Sequence, residues 1–231
     1  MNKKQNISDT KSTMLTYKDV LLFVPNIIGY TRVLLTTIAV FCLYSELPHH
    51  TVIAYVISEF LDVADGYFAR KFNQCSKFGE VLDMITDRCT TTCLITYLII
   101  IYPQFSVFYC FLISMDISSH YMQMYDSLSS GSTNHKNMDS DAHPILKAYY
   151  TNRQILFWLC FGNEAFFILS YYVHYLSGFP RTLVYVLLAA SFPVFLVKNL
   201  INLVQLFYAS KRLAINDATQ INQNQNKSKI V

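Results

Sequence analysis

Two pairs of aspartates interrupt stretches of this chain that are otherwise apolar enough to cross a lipid bilayer: Asp62 and Asp65 lie three residues apart, Asp83 and Asp87 four apart. An α-helix turns once in about 3.6 residues, so each pair falls on one helical face, and two such faces can converge across a helical hairpin. An ionised carboxylate in apolar surroundings costs roughly 2.5 to 3.5 kcal/mol on insertion scales, so a set without partners would forfeit on the order of ten kcal/mol. Any fold of this chain must bring compensating charge to them. Two divalent cations carry the matching charge, and oxygen-only ligands favour a hard ion such as Mg²⁺ or Mn²⁺ over zinc. The alternative is a set of helix-end carboxylates paired with Arg70, Lys71 and Arg88, with no ion.

The rest of the chain fixes the setting of these groups. It has 231 residues, 53% of them hydrophobic and only 14% charged, with a mean hydropathy of +0.29. That is the size of one domain and too apolar for an ordinary soluble one. Stretches of about 20 residues, long enough to span, can be drawn at 26–46, 50–69, 79–101, 105–126, 154–177 and 181–208. The expected fold is therefore an all-α, polytopic integral membrane protein with about six transmembrane helices. The second span is the weakest, because Glu59, Asp62 and Asp65 fall within it. Before the first span, Leu15, Tyr17, Leu21, Leu22 and Phe23 mix with Lys18 and Asp19 as in an amphipathic juxtamembrane helix. Pro25 then starts the span. Residues 1–13 form a polar N-terminus without the apolar core of a removable signal peptide, 14–212 the membrane domain, and 213–231 a polar tail expected to be disordered.

Charge orients the bundle. Lys3, Lys4, Lys11 and Lys18 precede the first span; Arg70, Lys71 and Lys77 fill the loop between the second and third; Lys136, Lys147 and Arg153 lie between the fourth and fifth; Lys211, Arg212, Lys227 and Lys229 follow the sixth. The opposite loops, with Pro103 and the turn at residues 47–50, carry almost only Arg181. Positive charge concentrates on the cytosolic side, which places both termini and the aspartates there. Two glycosylation acceptor patterns, at Asn6 and Asn226, fall in the cytosolic tails and are expected to stay unmodified. Lys227 and Lys229 make a K-x-K-x-x ending, the form of a cytosolic retrieval signal for the endoplasmic reticulum. The six cysteines show no metal-ligand spacing, and buried free thiols are expected.

Asp62, Asp65, Gly66, Ala69, Arg70, Gly79, Asp83 and Asp87 together spell D-x2-D-G-x2-A-R-x8-G-x3-D-x3-D. Every fixed position of the CDP-alcohol phosphatidyltransferase signature is present, and the chain resembles that family over roughly residues 20 to 212. Within it, LFVPNIIGYTR, LDMITDRC, the SHYMQMY to NHKNMD stretch and AYYTNR are similar to the eukaryotic phosphatidylinositol synthase branch. The resemblance implies that Asp62 and Asp83 bridge two metal ions, that Asp65 completes the first site, and that Asp87 reaches the second and acts as general base. It implies that Gly66, Arg70 and Ser76 contact CDP-diacylglycerol, that Asn26 and Arg32 line a nucleotide cleft, and that the protein is a homodimer in membrane lipid with no nucleic-acid partner. An Asn cap and an Arg paired inside the bundle would explain Asn26 and Arg32 equally.

Chemistry fits these roles. A sugar hydroxyl is a poor nucleophile at neutral pH, so a carboxylate must take its proton while cations absorb charge on the pyrophosphate. Gly66 and Ala69 would let a nucleotide approach the helix backbone, and Gly79 would permit close packing against the second span. The guanidinium fork of Arg70 suits phosphate oxygens. The acceptor implied by the resemblance, myo-inositol, needs groups that match hydroxyls; the candidates are Asp116 and His120, four apart in the fourth span, with Lys136 and Arg153 at its cytosolic mouth. Each is equally readable as a structural contact. The signature also admits glycerol phosphate, serine or an amino alcohol on diacylglycerol as acceptor, and a divalent-cation transporter would use the same carboxylates as an ion site.

Overall fold

The computed structural model describes residues 15–130 and 151–228. Among these there is no strand. A five-residue helix α1 (Tyr17–Leu21) leads into α2 (Val24–Tyr44), α3 (Pro48–Lys71), α4 (Lys77–Ile101), α5 (Ser106–Ser130), α6 (Arg153–Tyr172) and α7 (Gly178–Ser228). Short 3₁₀ turns at Pro103–Phe105 and Val173–Tyr175 join α4 to α5 and extend α6. The six long helices fall on the six expected spans. By length and composition, α2, α4, the segment Gln154–Tyr175 and α7 are apolar enough to cross a membrane. Helix α3 falls short, as its carboxylates foretell. Helix α5, with Asp116, His120 and Asp126, falls short as well, which the sequence reading did not anticipate.

Local chemistry sets the helix ends. Thr16 and Asp19 form a reciprocal capping box around α1, with the Thr16 N–H donating to Asp19 at 2.7 Å. Pro25 sits in the first turn of α2, where its missing N–H costs nothing. Helix α3 closes in a Schellman turn: Asn73 takes a left-handed φ of 54°, and the Gln74 N–H donates to the Ala69 carbonyl at 2.9 Å. Asparagine tolerates that conformation better than most residues. The Gln74 side chain then accepts from the Val24 N–H at 2.9 Å, tying the α3–α4 loop to the start of α2. Ser76 caps α4 by accepting from the Gly79 N–H at 3.0 Å.

Helix α2 packs along α3 and against α4, while α7 packs on α5 and α6. Gly29 and Gly79 permit the α2–α4 approach: a Cβ at Gly29 would stand 2.9 Å from Leu82, and one at Gly79 2.7 Å from Asn26. Gly79 therefore opens α4 to α2, not to α3 as the sequence suggested. The apolar core, with Leu43, Tyr55, Leu94, Leu98, Tyr171 and Phe195, lies two to three turns along α4 from the aspartates. Burial is otherwise inverted relative to a soluble protein. Leu34, Phe41, Ile53, Phe60 and Val107 are exposed on the outer faces, whereas Asn26, Arg32, Lys198, Asn202 and Gln205 are buried. Such a surface suits lipid.

The expected disorder from residue 213 does not describe α7, which stays helical to Ser228. Residues 209–228 contain neither Gly nor Pro, and extending an existing helix requires no new nucleus. Where the chain turns polar, Arg212 Nε donates to Asp126 of α5 at 2.6 Å and its Nη2 to Gln123 at 3.0 Å.

Candidate active site

Helix α3 presents Asp62 and Asp65 on one face, and α4 presents Asp83 and Asp87. Oxygens of Asp62, Asp83 and Asp87 lie within 4.8 Å of one another. The side chain that draws them together comes from a third helix. Arg32 of α2, 1% exposed, places Nη1 2.7 Å from Asp62, 2.6 Å from Asp83 and 3.2 Å from Asp65, and its Nη2 donates to Asp87. Among the pairing options raised by the sequence, Arg70 and Lys71 are not partners of the cluster, and Arg88 only skirts it, with Nη2 3.8 Å from Asp87. Arg32 belongs to the carboxylate cluster, as the paired arginine that the sequence also allowed, and is not among the residues lining the neighbouring cleft.

One guanidinium among these carboxylates leaves most of their charge unmatched, and the donor atoms are all oxygens. Carboxylates so disposed fit hard divalent cations.

Beside the cluster lies an open cleft of about 440 Å³, lined by Asn26, Gly29, Asp65, Gly66, Ala69, Ser76, Gly79 and Asp83 among others. The structure thus brings Asn26, Gly66 and Ser76 together next to two of the aspartates. Arg70 is not among the lining residues. It is exposed at the end of α3, where a Cβ at Gly66 would come 3.3 Å from its Nη1.

The acceptor candidates fare differently. Both oxygens of Asp116 accept from Arg88 Nη1 at 2.6 Å, and Asn202 of α7 adds a bond at 3.2 Å. His120 Nδ1 lies 2.8 Å from the Asp116 carbonyl. Asp116 is therefore joined to the site through Arg88. Lys136 lies outside the described residues, and Arg153 is described only as the first residue of α6.

Sequence reasoning missed a second polar cluster behind Asp87. Glu164 of α6 accepts from Tyr55 of α3, from Thr91 of α4 at 3.2 Å and from Asn163 at 3.2 Å. Lys198 of α7 is 3% exposed and donates to Asn202, while Asn199 donates to Asn163 at 3.1 Å. A glutamate inside one span and a lysine inside another were the readable signals, as Asp116 was in α5.

Comparison with known proteins adds independent information. A family profile described as CDP-alcohol phosphatidyltransferase matches residues 22–209. A protein of Candida albicans named CDP-diacylglycerol–inositol 3-phosphatidyltransferase is 47% identical over 93% of this chain and 92% of its own. Proteins of the same name in Saccharomyces cerevisiae and Homo sapiens are 39% and 38% identical, over 94% and 87% of this chain and 97% and 95% of theirs. No solved structure matches.

Proposed function

The chain belongs to the CDP-alcohol phosphatidyltransferase family, and we propose that it makes phosphatidylinositol, transferring the phosphatidyl group of CDP-diacylglycerol to myo-inositol with release of CMP. The observation that carries this reading is a cluster of four aspartates drawn from α3 and α4 at the wall of an open cleft. The acceptor follows from the names and high coverage of the relatives.

The family is metal-dependent, and Asp62, Asp65, Asp83 and Asp87 would hold two Mg²⁺ or Mn²⁺ ions, which when bound stabilise the charge that develops on the pyrophosphate and on departing CMP. Asp87 takes the proton of the attacking inositol hydroxyl as the new O–P bond forms at the phosphorus bearing diacylglycerol. The bond from that phosphorus to the CMP oxygen breaks, and CMP departs with the electron pair. Gly66, Ser76 and Asn26 border the space for the nucleotide, and Arg70 supplies its fork at the mouth. Asp116 acts on the acceptor side by neutralising Arg88, with His120, Lys136 and Arg153 as further acceptor contacts. No covalent enzyme intermediate is needed.

The enzyme sits in the endoplasmic reticulum membrane as a homodimer with six spans, its termini and site facing the cytosol, where the lysine-rich segments gather. Acyl chains stay in the bilayer while the headgroup enters the cleft. The decisive experiment measures CMP release by purified protein with CDP-diacylglycerol, a panel of acceptors, and Mg²⁺, Mn²⁺ or chelator. Release that requires both inositol and a divalent ion is expected. Incorporation of serine or glycerol phosphate in place of inositol would overturn the acceptor, and ion flux without CMP release the reaction.

A further inference from the structure

The two sides of the aspartate cluster differ. Asp65 and Asp83 line the cleft, whereas Asp62 and Asp87 are not among its lining residues. One turn beyond Asp87, the Thr91 hydroxyl donates to the Asp87 carbonyl at 3.0 Å and lies 3.2 Å and 3.3 Å from the two carboxylate oxygens of Glu164. Tyr55 and Asn163 donate to the same carboxylate, Asn163 at 3.2 Å. Among the described residues Glu164 makes no ion pair: Arg88 is paired with Asp116 and Asp87, and Lys198 donates to Asn202. A carboxylate held inside a span by neutral donors alone is costly to keep, and those donors also fix its direction. Glu59 of α3, one turn before Asp62, is half-buried and forms no hydrogen bond among the described residues; its like-charged neighbours are Glu164 and Asp87. Arg88 adds an unused donor, since its Nε is buried without a partner.

We infer that Glu164 determines the choice of acceptor: its carboxylate accepts a hydrogen bond from a hydroxyl of an uncharged polyol, and with Glu59 it turns away acceptors that carry a phosphate. The inference rests on the reading of the protein as a phosphatidyltransferase that releases CMP. A displacement at phosphorus has its attacking and leaving oxygens roughly in line. With CMP leaving into the cleft, the acceptor comes from the other side of the cluster, where Asp87, Glu59, Arg88 and Glu164 gather. A hydroxyl both donates and accepts, so one polyol satisfies the carboxylates of Glu59 and Glu164 and the Nε of Arg88 together. Bonds to an ionised acceptor are about twice as strong as those between neutral groups. A phosphate brings charge of the same sign to two carboxylates, while the cations on that side are already engaged by Asp116 and Asn202.

The test measures CMP release by the full chain in detergent with CDP-diacylglycerol and Mn²⁺ against the concentration of myo-inositol. Myo-inositol 1-phosphate serves as competitor and a panel of monodeoxy-inositols as alternative acceptors. With the parent chain the phosphate should compete at least about tenfold more weakly than inositol binds. Glu164→Gln should raise the KM for inositol about tenfold, leave the KM for CDP-diacylglycerol within about twofold, and narrow the handicap of the phosphate to about threefold. One monodeoxy-inositol should lose at least about tenfold with the parent chain and only about threefold with Glu164→Gln, because the hydroxyl it lacks is the one that Glu164 receives. Should that variant not fold, Glu59→Gln, which gives up no hydrogen bond among the described residues, should narrow the same handicap at an unchanged melting temperature. An unchanged KM for inositol in Glu164→Gln, with or without a loss of stability, overturns the inference and leaves Glu164 to packing alone. A phosphate that competes as well as inositol with the parent chain overturns it too. Failure of every acceptor to promote CMP release overturns the reading as a phosphatidyltransferase, and this one with it.

Discussion

Arg32 Nη1 stands 2.7 Å from Asp62 and 2.6 Å from Asp83, so one buried cation joins carboxylates whose own helices, α3 and α4, are each packed on α2. The aspartates converge because α2 lies against both partners, and its arginine occupies the place of greatest negative charge.

Replacing that arginine should therefore shift the burden onto bound ions. Removing one member of a buried ion set typically costs about 3 to 5 kcal/mol. Arg32→Met is expected to unfold at a lower temperature in chelator than the parent chain, and to regain more stability on addition of Mn²⁺. Thermal unfolding in detergent, with and without the metal, measures both; an equal metal response in the two proteins would separate Arg32 from the ion site.

Asp87→Asn should remove the proton acceptor while leaving the cleft residues in place. CMP release is expected to fall about 10²- to 10⁴-fold, with CDP-diacylglycerol binding changed only a few-fold. Normal turnover in the variant would reject Asp87 as the base.

Asp116→Ala leaves the half-buried Arg88 beside Asp87 without its principal partner. A stability loss of about 3 to 5 kcal/mol is expected. Asp116→Asn, which still accepts a hydrogen bond, should lose less. If Asp116 instead bound inositol directly, the asparagine variant would keep its melting temperature and raise only the KM for inositol.

Gly162 lies against α7, where an added Cβ would come 2.8 Å from Val194 Cβ. Gly162→Ala should cost about 1 to 3 kcal/mol by overpacking, with the KM for CDP-diacylglycerol unchanged. Gly79→Ala, whose Cβ would meet Asn26, should also weaken nucleotide binding. Steady-state kinetics alongside thermal unfolding separate the two glycines.

The long helices were legible because a stretch of about 20 apolar residues is visible without any partner, although only four of them are apolar enough to cross a membrane. The aspartates were legible because carboxylates in such a stretch require an explanation. The role of Arg32 was not: it is 33 residues from Asp65 and 55 from Asp87 in the chain, and no periodicity within one helix reports a contact of that range. Glu164 and Lys198 carried the same signal as Asp116, but only the packing of α6 and α7 shows what surrounds them. The α3–α4 loop was read through its basic residues and Ser76, whereas its shape depends on Asn73 in a left-handed turn and on Gln74 reaching back to Val24.

Helix α7 runs on from its apolar portion through Arg212 to Ser228 without a break. At 1.5 Å per residue, the stretch after Tyr208 rises roughly 30 Å, about the thickness of the bilayer's hydrocarbon layer. A continuous rod of that length fixes the distance between its polar end and the apolar portion of α7, which a slack tether would leave free.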